Sequence, residues 1–432
     1  MTQSRHRPSS LYRRRRRPPG LLSRLGPGLI TGAADDDPSG VATYSQAGAQ
    51  FGPNMLWTVV LTYPLMVAVQ LISARIGRVT GRGLAANMGK VLPRQVVGLL
   101  VALLFIANTV NIGADIGAMG AAAELVTGWD AKALTVVFAA ASLLLQLFVP
   151  YHRYVHVLKW LTLALFAYLG VIFTVRIDWG EVLTRTLAPQ MPLTSEALTV
   201  VVAVFGTTIS PYLFFWQSSE EVEELEANHE HDLLHSSGAK AKRELNRIRW
   251  DTVVGMLFSN LIAFFIILTT AATLHVAGKT DIQTSADAAL ALKPIAGPMA
   301  FGLFSLGIVG TGLLAVPVLA GSAAYAVAES FDWKMGLEHE PWEAPGFYSV
   351  IAAAMLLALG VVFSPLDPIK ALFWSAVING VISVPIMAGM MLVGSRRHEM
   401  GRYVATTGMR IFGWAATAVM ALAVLAMFVF PA

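Results

Sequence analysis

The sequence predicts an all-α membrane protein with eleven spanning helices, and three observations lead there. Apolar runs of around twenty residues recur along the whole 432-residue chain, each long enough to cross a bilayer as helix. Charged residues make up 13% of the chain and hydrophobic ones 55%, whereas a soluble domain is about 25% charged. Two of the apolar runs, the first and the sixth, are interrupted by a proline beside polar residues. The short alternating segments of a membrane β-barrel are not seen. With no cysteine, disulfides, thiolate ligands and thiol chemistry are excluded. No nucleotide-binding loop or zinc-hydrolase motif occurs, so the chain reads as neither an enzyme nor an ATP-driven pump.

Residues 1–25 form a basic tail containing RHRPSSLYRRRRRPP. It has no apolar core and no cleavage site, so it is not read as a removable signal. A basic flank before a first span holds that end in the cytoplasm, helped by anionic lipid; this explains the tail better than a nucleic-acid-binding arm. The expected spans follow at 26–50, 54–74, 95–121, 131–149, 155–175, 197–217, 250–274, 299–328, 346–363, 368–392 and 408–430. The third, seventh and eighth are long, which implies tilt or extension beyond the bilayer.

Loop charge orients them. The second loop carries Arg75, Arg78, Arg82, Lys90 and Arg94, the fourth Arg153 and Lys159, and the tenth Arg396, Arg397, Arg402 and Arg410. Basic residues are scattered thinly in the alternate loops, which is the positive-inside pattern. The N-terminus is therefore expected in the cytoplasm and the C-terminus outside. The loop at 218–249 places acids first and bases afterwards. Its His229, His231 and His235 could form a metal-binding tract, although a solvated mixed-charge face or a short bracing helix explains them with less.

The stretch AADDDPSG at residues 33–40 is the least membrane-like part of the first span. Pro38 has no N–H for the carbonyl of Ala34, and its ring crowds that carbonyl. Gly32, Ser39 and Gly40 weaken the helix further. Three aspartates facing lipid would be costly, whereas aspartates beside freed carbonyls suit a hard cation. The same device recurs in the sixth span, VVAVFGTTISPYLFFWQ. There Pro211 frees the carbonyl of Thr207, Gly206 precedes it, and Thr207, Thr208 and Ser210 add hydroxyls.

Interrupted helices in matching positions of two halves point to a transporter with inverted repeats and a site at mid-membrane. The expected division is a first five-helix repeat at 26–175, an external loop at 176–196, a second repeat at 197–392, and a final loop and eleventh helix at 393–432. Five is odd, so the second repeat starts from the opposite side of the membrane.

GPGLITGAADDDPSG resembles the first-span signature of the NRAMP family of divalent metal transporters, where an Asp-Pro-Gly-Asn motif breaks the helix. FGTTISPYLFFW resembles that family's sixth-span signature. The likeness extends over essentially the whole membrane region and implies a LeuT-like fold. It also implies divalent metal import across a bacterial inner membrane, with no permanently bound cofactor and no obligate protein partner. Asp37 then matches the principal metal-binding carboxylate, and the carbonyls of Ala34 and Thr207 match backbone ligands.

The departures matter as much. Gly40 replaces the motif asparagine, Ser210 the sixth-span methionine, and Tyr212 the histidine after the sixth-span proline. In the third span Asp115 is kept, but the acidic residue expected three positions later is Ala118. An all-oxygen site suits Mg²⁺ or Mn²⁺, and the smaller Ser210 and Gly40 leave room for a partly hydrated ion. The resemblance is thus to a divergent member, with the magnesium-transporting branch of the family open. Asp35 and Asp36 are expected to act through waters, unless one of them instead hydrogen-bonds the frayed helix end, and Asn379 to supply the polar residue of the tenth span. With Tyr212 and Ala118 in place, proton coupling is expected to be weak or absent, with Asp115 the surviving group on any proton route. The alternatives are a proton-coupled transition-metal importer, and an organic-cation or amino-acid transporter of the same architecture in which Asp37 pairs with an ammonium group. Nucleic acid is not an expected partner.

Overall fold

Helix is the only regular structure among the described residues. The computed structural model describes residues 27–149, 162–227, 231–337, 339–363 and 367–430. The basic tail, Arg153, Lys159, His229, the opening of the fifth expected span and residues 431–432 lie outside them. The first expected span is two helices, α1 (Pro27–Asp35) and α2 (Pro38–Phe51). A 3₁₀ turn at Gly52–Met55 leads into α3 (Leu56–Thr80), and α4 (Arg94–Thr127) and α5 (Ala131–Phe148) follow. Of the fifth span the described part includes α6 (Phe166–Val171). The sixth span is again two pieces, α7 (Ser195–Thr208) and α8 (Pro211–Ala227). Then come α9 (Gly238–Thr270), α10 (Ala300–Phe331), α11 (Pro345–Val362), α12 (Pro368–Ser395) and α13 (Thr407–Val429).

Among the described residues nine helical stretches are long and apolar enough to cross a membrane, against the eleven spans expected. Two features account for the difference. Residues 38–80 run on through the 3₁₀ turn as one stretch of 43 residues, and the fifth expected span is only partly described. The spans expected to be long are so: α4 has 34 residues, α9 33 and α10 32.

The helix ends follow from local chemistry. Asp130, Thr194, Ser237 and Thr406 each accept from a backbone N–H of the helix they precede, which satisfies a donor the first turn leaves free. Asp367 does the same for α12, with Pro368 in the first helical position, where its missing N–H costs nothing.

The broken span is fixed to the seventh. Gly28 and Gly32 lie one helical turn apart on α1, and a methyl group on Gly28 would sit 2.8 Å from the Thr252 backbone. One on Gly32 would run into the Gly255 carbonyl. Small residues at this spacing let two backbones approach closely. The N–H of Gly28 also donates to Asp251 Oδ2 at 2.8 Å. The pairing is reciprocal between halves: α1 and α2 lie on α9, and α8 and α7 lie on α3. The long α4 runs through the centre against α10, α11 and α12.

The polar stretch at 218–249, expected to be a loop, is mostly helix, because α8 continues to Ala227 and α9 begins at Gly238. The reason is an ion network. Arg78, expected among loop cations, is only 2% exposed near the end of α3. Its guanidinium reaches Glu244 at 2.8 Å, Glu224 at 3.4 Å and the fully buried Glu221 at 3.8 Å. Arg247 closes the network on Glu224 at 2.7 Å, Glu221 at 2.9 Å and Glu244 at 3.1 Å. Charges that read as a solvated loop face one another and clamp α3, α8 and α9 together.

Candidate metal site

Both helix breaks lie where a proline follows polar residues, and they meet. Asp37 has left the helix, with φ −69° and ψ 169°, and becomes the cap of α2. Its Oδ1 accepts from the Gly40 N–H and from the Ser39 hydroxyl, both at 2.7 Å. Across the interface, a methyl group on Gly40 would sit 3.2 Å from the Thr207 hydroxyl, and 3.3 Å from the Tyr44 ring one turn along its own helix. Glycine at position 40 therefore lets the first break approach the second. On the other side Gly206 lies so close to Ala376 and Gly380 of α12 that no side chain fits.

The carboxylates are held by neutral groups. Asn111 on α4 donates to Asp37 Oδ2 at 3.0 Å and to Asp115 Oδ2 at 3.2 Å. Its own carbonyl accepts from Ser375 of α12 at 2.7 Å. Ser259 of α9 contacts Asp35 Oδ2 at 2.5 Å and Asp36 Oδ1 at 3.0 Å. All four aspartates are buried.

The freed carbonyls have hydroxyl neighbours. Tyr212, the first residue after Pro211, donates to the Ala34 carbonyl at 3.2 Å and so ties the second break to the first. Ser210 turns back onto its own helix end, 2.8 Å from the carbonyls of both Gly206 and Thr207. Such back-bonding is the usual way a serine hydroxyl quiets an orphaned carbonyl.

Several buried atoms have no hydrogen-bond partner: Oδ1 of Asp35, Oδ2 of Asp36, Oδ1 of Asp115, and both amide atoms of Asn379. Buried polar groups are nearly always paired, so these atoms leave room for further ligands or waters at the helix breaks, as unpartnered atoms do elsewhere in the protein. Asn379 stands one turn beyond Ser375 on α12, hence on the same face. Among the described residues no three His, Cys, Asp or Glu side chains form a ready-made metal cage. The donors that converge are instead mixed oxygens, from carboxylate, carbonyl and hydroxyl groups. That set fits a hard divalent cation that keeps part of its water.

The expected residues fall into three groups. Asp37, Ala34, Thr207, Ser210, Gly40 and Tyr212 are brought together at the junction of the breaks. Asp115 joins them through Asn111. Asp35 and Asp36 turn toward Ser259, on the α9 side. The bridging residues Asn111, Ser259 and Ser375 were not among the expected site residues. The spacing of Asn111 and Asp115, four apart on one helical face, was the available signal. His231 and His235 lie apart from this region, and His235 Nδ1 faces Asp232 at 2.7 Å.

Comparison with known proteins gives a consistent picture. A family model described as natural resistance-associated macrophage protein-like matches residues 28–430. A divalent metal cation transporter, MntH, of Klebsiella pneumoniae is 27% identical over 404 residues, covering 92% of each chain. The crystal structure of an Eremococcus coleocola manganese transporter, in complex with an aromatic bis-isothiourea compound, superposes with a TM-score of 0.74 at 16% identity. That match covers 94% of this chain and 86% of the other. Mhp1, a nucleobase-cation-symport-1 family transporter in a closed conformation, gives 0.58 at 13% identity, over 94% of both chains. The shared feature is an all-α membrane fold with broken helices.

Proposed function

The chain belongs to the Nramp family, and from that membership we propose that it carries divalent metal cations, Mn²⁺ or Mg²⁺, across a bacterial inner membrane by alternating access. It is a transporter and not an enzyme. The curated relative from Klebsiella pneumoniae, named a divalent metal cation transporter, supports the substrate class. The observation that carries the reading is the junction of the two breaks. Gly40 lies against Thr207, and the Asp37 carboxylate and Ala34 carbonyl are buried beside it.

In this reading Asp37 supplies the charge, and the carbonyls of Ala34 and Thr207 complete an oxygen site. Asp36 and Asp35 act through retained waters. Asn379 supplies an amide from α12. The Thr207 carbonyl has a second lone pair for the ion while it accepts from Ser210. Ser210 offers no polarizable sulfur, so softer metals gain no advantage. The reciprocal packing of the broken spans on α9 and α3 supports two inverted five-helix repeats followed by one extra helix.

Proton coupling is weak or absent in this proposal, because Tyr212 and Ala118 replace the expected proton carriers. A second reading, a proton-coupled transition-metal importer, is favoured by one contact: Asn111 links Asp37 directly to Asp115. Proteoliposomes containing a pH-sensitive dye, at clamped membrane potential, separate the two. Mn²⁺ or Mg²⁺ should enter without matching acidification. Metal-dependent acidification that disappears in Asp115→Asn would establish the second reading, and no uptake of either ion would overturn both.

A further inference from the structure

At the arginine-rich ends of α3, α9 and α13 lies a groove of about 1350 Å³ that the transport site does not use. Its three walls are graded in the same direction. Along α3 the lining runs from Arg75 back to Tyr63, along α9 from Lys242 to Val253, and along α13 and the preceding turn from Tyr403 to Phe412. These stretches of thirteen residues on α3 and twelve on α9 are ~16–18 Å long. One end holds Arg75, Lys242, Arg243 and Arg249, and the other Pro64, Val67, Val253 and Phe412.

No acidic residue lines the groove. The neighbouring Glu244 and Arg247 turn to the opposite face of α9 and are consumed by Arg78 and its partners. The side chains of Lys242, Arg243 and Arg249 make no ion pair or hydrogen bond among the described residues. Arg75 is fixed by its Nε to the Tyr403 carbonyl at 2.7 Å, so its charge is held on the groove wall. Beyond the cations, Trp250, Val254, Leu257 and Leu261 are exposed apolar residues on the same helix, as expected where α9 enters lipid. A cationic mouth above an apolar trough, beside a helix face of exposed apolar residues, has the polarity of a phospholipid. Basic pockets between spanning helices bind anionic headgroups.

We propose that this groove binds one anionic phospholipid, with its headgroup phosphate among Lys242, Arg243 and Arg249 and an acyl chain along Val67 and Val253. A protein partner would need acidic side chains that also cover the apolar trough. A free phosphate would leave the trough unfilled.

The test is native mass spectrometry of the full-length protein in detergent, titrated with phosphatidylglycerol or phosphatidylcholine, with and without excess inorganic phosphate. One phosphatidylglycerol should be retained in preference to phosphatidylcholine, and phosphate should not displace it. The exposed triple variant Lys242→Gln, Arg243→Gln, Arg249→Gln should lose ~100-fold of that affinity at an unchanged melting temperature. Val67→Trp, which fills the trough and leaves every cation in place, should also reduce retention. Equal retention of both lipids, or retention unchanged in either variant, would overturn the proposal. Full displacement by inorganic phosphate would make the groove an anion site and overturn the lipid assignment.

Discussion

Two clusters of carboxylates, one gathered around the buried Glu221 and one buried throughout at the helix breaks, are treated in opposite ways. At the arginine-rich end, Glu221, Glu224 and Glu244 face Arg78 and Arg247 at salt-bridge distance. At the helix breaks, Asp35, Asp36, Asp37 and Asp115 are held only by hydroxyl, amide and backbone N–H groups. A buried charge is costly unless paired. The first cluster answers that cost within the chain, with fixed cations that lock three helices together. The second has no fixed cation beside it among the described residues, and in the proposed function the positive charge arrives with the transported ion. On that proposal, scaffold and transport site differ in whether the counter-charge is built in.

The largest effect that could break this contrast is at Asp37. Asp37→Asn keeps the shape and the cap of α2 but removes the charge. Metal affinity by calorimetry and vesicle uptake should both fall by more than about tenfold, the loss of a charge-assisted contact. Asp36→Asn should be milder, since it faces Ser259. Uptake at the parent rate in Asp37→Asn would remove that carboxylate from the site.

Arg78→Gln tests the other cluster. Arg247 stays on Glu221 at 2.9 Å, so the cost is the loss of the charge-assisted contacts of Arg78, above all to Glu244, about 1.5–3 kcal/mol. The expected result is a clear drop in thermal stability, with metal affinity per folded molecule unchanged. Lost affinity at full stability would mean that the two clusters act together.

The smallest expected effect sharpens the comparison from the metal's side. Ser210→Met supplies a thioether where the chain now has a hydroxyl, so competition uptake should shift toward Cd²⁺ and away from Mn²⁺ and Mg²⁺. A parent protein that already takes Cd²⁺ and ignores millimolar Mg²⁺ would contradict the oxygen-site reading.

The breaks are legible because Pro38 and Pro211 each stand beside glycine and polar residues; proline alone does not break a span, since Pro64, Pro317 and Pro385 lie inside continuous helices. Asn111, Ser259 and Ser375 were not legible as partners, because a neutral polar residue in an apolar span looks the same whether it packs or bridges. Only the crossing of α4, α9 and α12 beside α1 and α2 separates the two cases. Arg78 misled for the same reason. Its counter-charges lie on α8 and α9, more than a hundred positions along the chain, so in sequence it reads as a loop cation. The proximity of the two breaks was likewise hidden, although Gly40 and Gly206 were noted as weak points of helix. What glycine allowed there was close approach between chains of atoms far apart in sequence.

The gap between Asp35 and Pro38 also has a kinetic consequence. Reorienting one half of an intact spanning helix against the other requires melting several backbone hydrogen bonds within hydrocarbon, at several kcal/mol for each group left unsatisfied. Every ~1.4 kcal/mol of such cost slows the motion about tenfold. Here the ladder is already interrupted, and the groups at the cut have side-chain substitutes: the Asp37 carboxylate for the Gly40 N–H and the Tyr212 hydroxyl for the Ala34 carbonyl. Swinging α1 about residues 36 and 37 exchanges those side-chain bonds and leaves the helical ladders on either side intact. The three aspartates thus stand at a joint whose activation barrier was lowered when the chain folded, before any ion arrives.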